Sequence, residues 1–91
     1  MSCELCVLQR KTTWFYTDPE DRFVIIECDT CKEPMAVWLE HTMMVSEREQ
    51  LELIVMLRAI AVNFYGGDDG WRIDTVQRKF PDHLHFHARR I

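Results

Sequence analysis

Near the C-terminal end of the chain three histidines alternate with apolar residues, His83-Leu84-His85-Phe86-His87-Ala88, and Arg89-Arg90 follows them. Each imidazole titrates near neutrality, binds metal through a ring nitrogen, and can act as nucleophile or proton donor. Extended chain sends successive side chains to opposite faces. The three rings therefore start about 6.7 Å apart on one face, while Leu84, Phe86 and Ala88 point into a core. An affinity tag would be contiguous and would not interleave with core-forming residues. Four cysteines supply a second chemistry, as Cys3-Glu4-Leu5-Cys6 and Cys28-Asp29-Thr30-Cys31. Two Cys-x-x-Cys knuckles are a metal spacing more than a disulfide framework, and Cys3, Cys6, Cys28 and Cys31 together would make an all-thiolate zinc ribbon closed to solvent.

These residues need a frame. Thr12–Tyr16 is β-branched and aromatic and runs into Thr17-Asp18-Pro19-Glu20-Asp21, which has turn chemistry. Arg22–Cys28 and Pro34–Glu40 read as two further strands, with the second knuckle at the hairpin turn between them. Ser46-Glu47-Arg48-Glu49 is a capping box in which the serine accepts from the third N–H and Glu49 reaches back to the serine N–H. Leu53, Met56, Leu57, Ile60, Ala61 and Phe64 form one apolar stripe, and Gly66-Gly67 supplies a left-handed stop. Trp71–Val76 alternates as a half-buried strand before the histidine strand. The order β-β-β-α-β-β predicts an α+β domain: an antiparallel sheet of about five strands with one long helix packed on it.

With 91 residues, 47% of them hydrophobic, the chain is globular and forms a single domain over 1–91. A domain of that size buries only about 60–65% of its unfolded surface, so a metal staple would strengthen a marginal core. The net charge of −4 speaks against general nucleic-acid binding. From Trp71 onward, however, Arg72, Arg78, Lys79, Arg89 and Arg90 outweigh Asp74 and Asp82, which suits a local anion site. The start Met1-Ser2-Cys3 carries no apolar leader, and no run approaches the roughly 20 residues of a membrane span. The expectation is a cytoplasmic, non-membrane protein with reduced thiols.

The ordered set of features resembles the histidine triad (HIT) superfamily, whose signature is His-φ-His-φ-His-φ-φ on a late strand, φ being apolar. His83 to Ala88 carry the triad, Cys3-x-x-Cys6 matches the family's frequent opening, and Val37-Trp38-Leu39-Glu40-His41 matches a strand ending in histidine before the helix. The resemblance covers most of the chain. It implies a nucleotidyl or phosphoramidate hydrolase or transferase in which His85 attacks the α-phosphorus, giving a nucleotidyl-histidine that water or another acceptor resolves. His87 would contact phosphate oxygens or the leaving group, and Arg78, Arg89 and Arg90 would counter phosphate charge. The partner implied is a nucleotide or other phosphorylated small molecule, with a homodimer left open. Departures from the family pattern include Glu33-Pro34, which stands where a further histidine is usual, Asp74–Asp82, which replaces the usual phosphate-binding segment, and Arg90-Ile91, which stands where Pro-Arg commonly follows the triad.

The resemblance also implies a second ligand set for a structural zinc, Cys3, Cys6, His41 and His83, which leaves His85 available and Cys28-x-x-Cys31 without a task. The ribbon set and this set stay open side by side. Two other functions fit the same residues. One is a non-catalytic zinc-containing module that holds a phosphorylated ligand on its His/Arg face; the other is a zinc- or redox-sensing domain using the extra knuckle.

Overall fold

The computed structural model describes Leu5, residues 12–77 and residues 82–91. Cys3 and Cys6, and the basic pair Arg78 and Lys79, lie outside the described residues. The elements are β1 (Trp14–Thr17), β2 (Phe23–Glu27), β3 (Pro34–Trp38), α1 (Glu47–Tyr65), β4 (Trp71–Asp74) and β5 (His85–Arg90). They build the expected α+β architecture, a five-stranded sheet in the order β1-β2-β3-β5-β4. Every neighbouring pair in it is antiparallel.

The strands are shorter than their apolar patterns suggest. β3 stops at Trp38, so His41 sits in the loop beyond it, and β5 begins at His85, so His83 precedes the strand. Pairing nevertheless carries on a little further, because Trp38 N–H donates to the Leu84 carbonyl and Leu84 N–H donates to the Thr42 carbonyl, both at 3.0 Å. β4 ends at Asp74, since the Asp74 carboxylate turns back to accept from Val76 N–H at 3.0 Å and ends regular strand geometry.

The helix begins and ends where its signals stand. Ser46 Oγ accepts from Glu49 N–H at 3.1 Å, and Gly66 at φ 79° closes the other end by donating to Val62 O. The box differs in one bond: the Ser46 hydroxyl donates to the Glu49 carboxylate, where the serine N–H was the expected donor. Leu53, Leu57 and Ala61 are fully buried against Phe23, Ile25, Ala36, Trp38, Leu84, Phe86 and Ala88 on one sheet face. Met56 and Ile60 pack at the margin. Phe64 is more exposed and makes an edge contact with Phe15. No helix among the described residues is long and apolar enough to cross a membrane.

The opposite sheet face carries a second cluster, Val24, Ile26, Cys28, Met35, Val37 and Leu5, with Trp14 and Cys31 packed against it. Alternation along β5 puts Phe86 and Ala88 on the helix side and His85 and His87 on this second side. The helix thus anchors the strand through one set of side chains while the histidines face the cysteines.

Candidate functional site on the triad strand

Antiparallel pairing decides which residues meet. β3 reads from the knuckle toward His41, while β5 reads from His83 toward Arg90, with Val37 opposite His85 and Met35 opposite His87. The first histidine therefore meets His41 and the last meets Cys28 and Cys31. All three triad residues are buried: His83 is 0% exposed, His85 3% and His87 7%.

At the first end, His83 Nδ1 and His41 Nδ1 lie 3.3 Å apart. His83 Nε2 contacts the Trp38 carbonyl and must carry the proton there, so the Nδ1 lone pair faces His41. Two imidazole nitrogens on a tetrahedral zinc with bonds of about 2.0–2.1 Å would stand about 3.3–3.4 Å apart. A ring proton donated to a backbone carbonyl is the usual support for a metal-ligating histidine. His41 and His83 thus fit half of a zinc site; Cys3 and Cys6, the other half of the family set, lie outside the described residues.

In the middle, His85 Nδ1 contacts the His83 carbonyl at 2.8 Å. A carbonyl only accepts, so Nδ1 is protonated and the lone pair belongs to Nε2. Burial, opposed by that carbonyl contact and reinforced by the neighbouring His87, His83 and Arg89, pushes the His85 pKa down and keeps the ring neutral. The backbone of His85 is gripped by a side chain: its N–H donates to Gln77 Oε1 at 3.0 Å and its carbonyl accepts from Gln77 Nε2 at 2.5 Å. β4 has already ended at this level of the sheet, and the Gln77 amide stands in for a strand partner.

At the last end, Cys28, Cys31 and one nitrogen of His87 lie within 4.8 Å of one another. The knuckle is held by a tight turn in which Cys28 N–H donates to the Glu33 carbonyl and Lys32 N–H donates to the Cys28 carbonyl. Lys32 adopts φ 59°, a left-handed conformation uncommon for a side-chain-bearing residue. Burial raises the Cys28 pKa, but the adjacent His87 ring, the Cys31 thiol and the Thr30 hydroxyl outweigh it and bring it down to about 5. Cys31 is pushed up to about 11 by burial and by the neighbouring Cys28. The Nδ1 atom of His87 is buried with no hydrogen-bond partner.

Arg89 and Arg90 are engaged within the fold. Arg89 Nε donates to buried Asp74 at 2.7 Å, and its other arm reaches Glu33 at 3.5 Å. Arg90 gives its backbone N–H to Glu33 at 2.5 Å and lays its guanidinium 4.9 Å from the centre of the Tyr65 ring. Glu33 accepts from Tyr65 Oη as well, at 3.1 Å. Arg89 and Arg90 therefore compensate internal carboxylates and cover an aromatic ring, and neither stands as an uncompensated cation on the histidine face.

Sequence reasoning did not foresee Gln77 or the meeting of Cys28 and Cys31 with His87. The second was accessible in principle, because antiparallel pairing of the third strand with the histidine strand brings the knuckle level with the last histidine. Comparison with protein-family models, with curated proteins and with solved structures finds no match for this chain. Fold and site together define a small α+β domain with a buried histidine row and a Cys-Cys-His cluster whose ligand atoms are close enough to chelate a metal.

Proposed function

We propose that the chain is a compact zinc-holding domain of histidine-triad type, acting as a nucleotidyl or phosphoramidate hydrolase or transferase with His85 as nucleophile. The observation that carries this reading is the contact of His85 Nδ1 with the His83 carbonyl. A histidine nucleophile needs a neutral ring, one nitrogen held by an acceptor and the other carrying the lone pair, and His85 meets these requirements. In the first half-reaction a bond forms between Nε2 and the phosphorus, and the bond from phosphorus to the leaving group breaks with its electron pair. Water or another acceptor then displaces the imidazole and restores the neutral ring. A zinc held by His41 and His83, with Cys3 and Cys6 as the implied completing ligands, would be structural and would fasten the start of the triad strand to the loop after β3. With His85 only 3% exposed, substrate reaches Nε2 by displacing what covers the ring.

That burial, together with the engagement of Arg89 by Asp74 and Glu33, favours a second reading, a zinc-holding module without turnover. One experiment separates the two. A panel of nucleotide phosphoramidates and dinucleoside phosphoanhydrides is offered to zinc-replete protein and to His85→Ala. The enzyme reading expects turnover in the parent, a loss of at least about 100-fold in the variant, and unchanged thermal unfolding and zinc content. Absence of turnover across the panel in the folded, zinc-replete parent would establish the module.

A further inference from the structure

The second knuckle has no part in the transfer chemistry, yet the fold brings it against the last triad histidine. Cys28 is buried, Cys31 is half-buried, and both are free thiols. Their sulfur atoms and a His87 ring nitrogen fall within 4.8 Å of one another. Tetrahedral zinc with bonds of about 2.3 Å to sulfur and 2.0–2.1 Å to nitrogen needs such donors about 3.5–3.8 Å apart, so closure requires side-chain movements of about 1 Å. The His87 ring is more than nine-tenths buried, and its Nδ1 has no hydrogen-bond partner. Leaving a buried polar nitrogen unsatisfied costs about 1–3 kcal/mol, and native structures leave few such atoms unexplained. The other large polar groups on this face are engaged: Asp74 with Arg89 and Val76, and Glu33 with Tyr65, Arg89 and Arg90.

We propose that Cys28, Cys31 and His87 form a metal site of their own, distinct from the His41–His83 pair, for zinc or another thiophilic divalent ion. Two thiolates and an imidazole select borderline-soft ions over magnesium or calcium, and the three donors found among the described residues leave a fourth tetrahedral position for a further ligand. The ion ties the β2–β3 turn to the middle of β5 across the intervening strand β3. It also holds the His87 ring away from any phosphate. The site stands independently of the role proposed for His85.

The test reads metal protection cysteine by cysteine and involves no turnover, so its outcome is separate from that of the His85 experiment. Full-length, zinc-replete protein is alkylated under reducing conditions with and without a competing chelator, and each cysteine is followed by peptide mass spectrometry. The proposal expects Cys28 and Cys31 to react at least about tenfold faster once zinc is removed. That protection should be lost in His87→Gln and retained in His85→Ala, which keeps the fold and its zinc. Rates for Cys28 and Cys31 that ignore the chelator, protection that survives in His87→Gln, or protection lost in His85→Ala would each overturn it. In case His87→Gln fails to fold, cadmium-loaded parent protein labelled with nitrogen-15 at histidine gives a second reading. A through-bond metal coupling at the His87 ring is expected, and its absence in folded, cadmium-saturated protein would overturn the site.

Discussion

A side-chain amide here substitutes for a strand. Gln77 closes two hydrogen bonds on the backbone of His85, the residue proposed as nucleophile, where β4 no longer runs alongside. Truncation in Gln77→Ala leaves a buried N–H and a buried carbonyl without their partners, which costs about 1–3 kcal/mol. The urea midpoint should fall accordingly at unchanged slope, and Gln77→Glu, which keeps only the acceptor, should fall between the variant and the parent. A midpoint unmoved in Gln77→Ala would show that these bonds contribute nothing. Gln77 was not legible in the sequence, because a side chain replacing a ladder partner leaves no periodic signature. The alternation of His83, His85 and His87 was legible, since it depends only on the geometry of extended chain. The engagement of Arg89 was not: its run of like charges suggested an anion site, while Asp74, read from its alternation in a half-buried strand, proves to be 1% exposed and ion-paired with it.

At the scale of elements, the turn from β1 to β2 is built on one ion pair. Arg22 gives its backbone N–H and its Nε to Asp18 Oδ2 at 3.0 and 2.8 Å, and its far end reaches Glu52 on α1 at 2.8 Å. The Arg22 side-chain hydrogen bond, opposed by burial, holds the Asp18 carboxyl below its ordinary value of 3.8. A carboxyl lowered in the folded state contributes stability that is present above the unfolded value and is lost as pH falls through the folded one. Unfolding midpoints should therefore drop between about pH 5 and pH 2, and Asp18→Asn should remove part of that slope while lowering the midpoint at neutral pH. An Asp18→Asn profile parallel to the parent would contradict the assignment. The strands and helix themselves were legible as apolar alternation, a serine cap and a glycine stop. Their ends were less so, because Asp74 and the loops around His41 and His83 terminate strands through long-range bonds that local composition does not contain.

For the whole molecule, the proposed structural zinc would make metal binding and folding one equilibrium. A chain of 91 residues has a stability of about 5–14 kcal/mol, against about 10–16 kcal/mol for zinc binding in small zinc domains. Chelation should therefore lower the thermal midpoint sharply, and His41→Ala should lose about one zinc per chain with a similar fall. A chelated chain that unfolds at the parent temperature would contradict a structural zinc. The sequence offered two ligand sets. The fold joins His41 to His83, as the second set requires, but joins Cys28 and Cys31 to His87, a combination that neither set contained. Both meetings follow from the antiparallel pairing of β3 with β5, a relation between strands about 50 residues apart that no local motif encodes.

If His85 forms a bond to phosphorus, as proposed, that bond can be trapped. Zinc-replete protein is mixed with a nucleotide phosphoramidate, quenched at alkaline pH to preserve an acid-labile phosphorus–nitrogen linkage, and analysed by intact mass and peptide sequencing. An added nucleotidyl mass is expected on the peptide containing His85, absent in His85→Ala and discharged by acid. A substrate turned over with no adduct, or an adduct on any other residue, would contradict it.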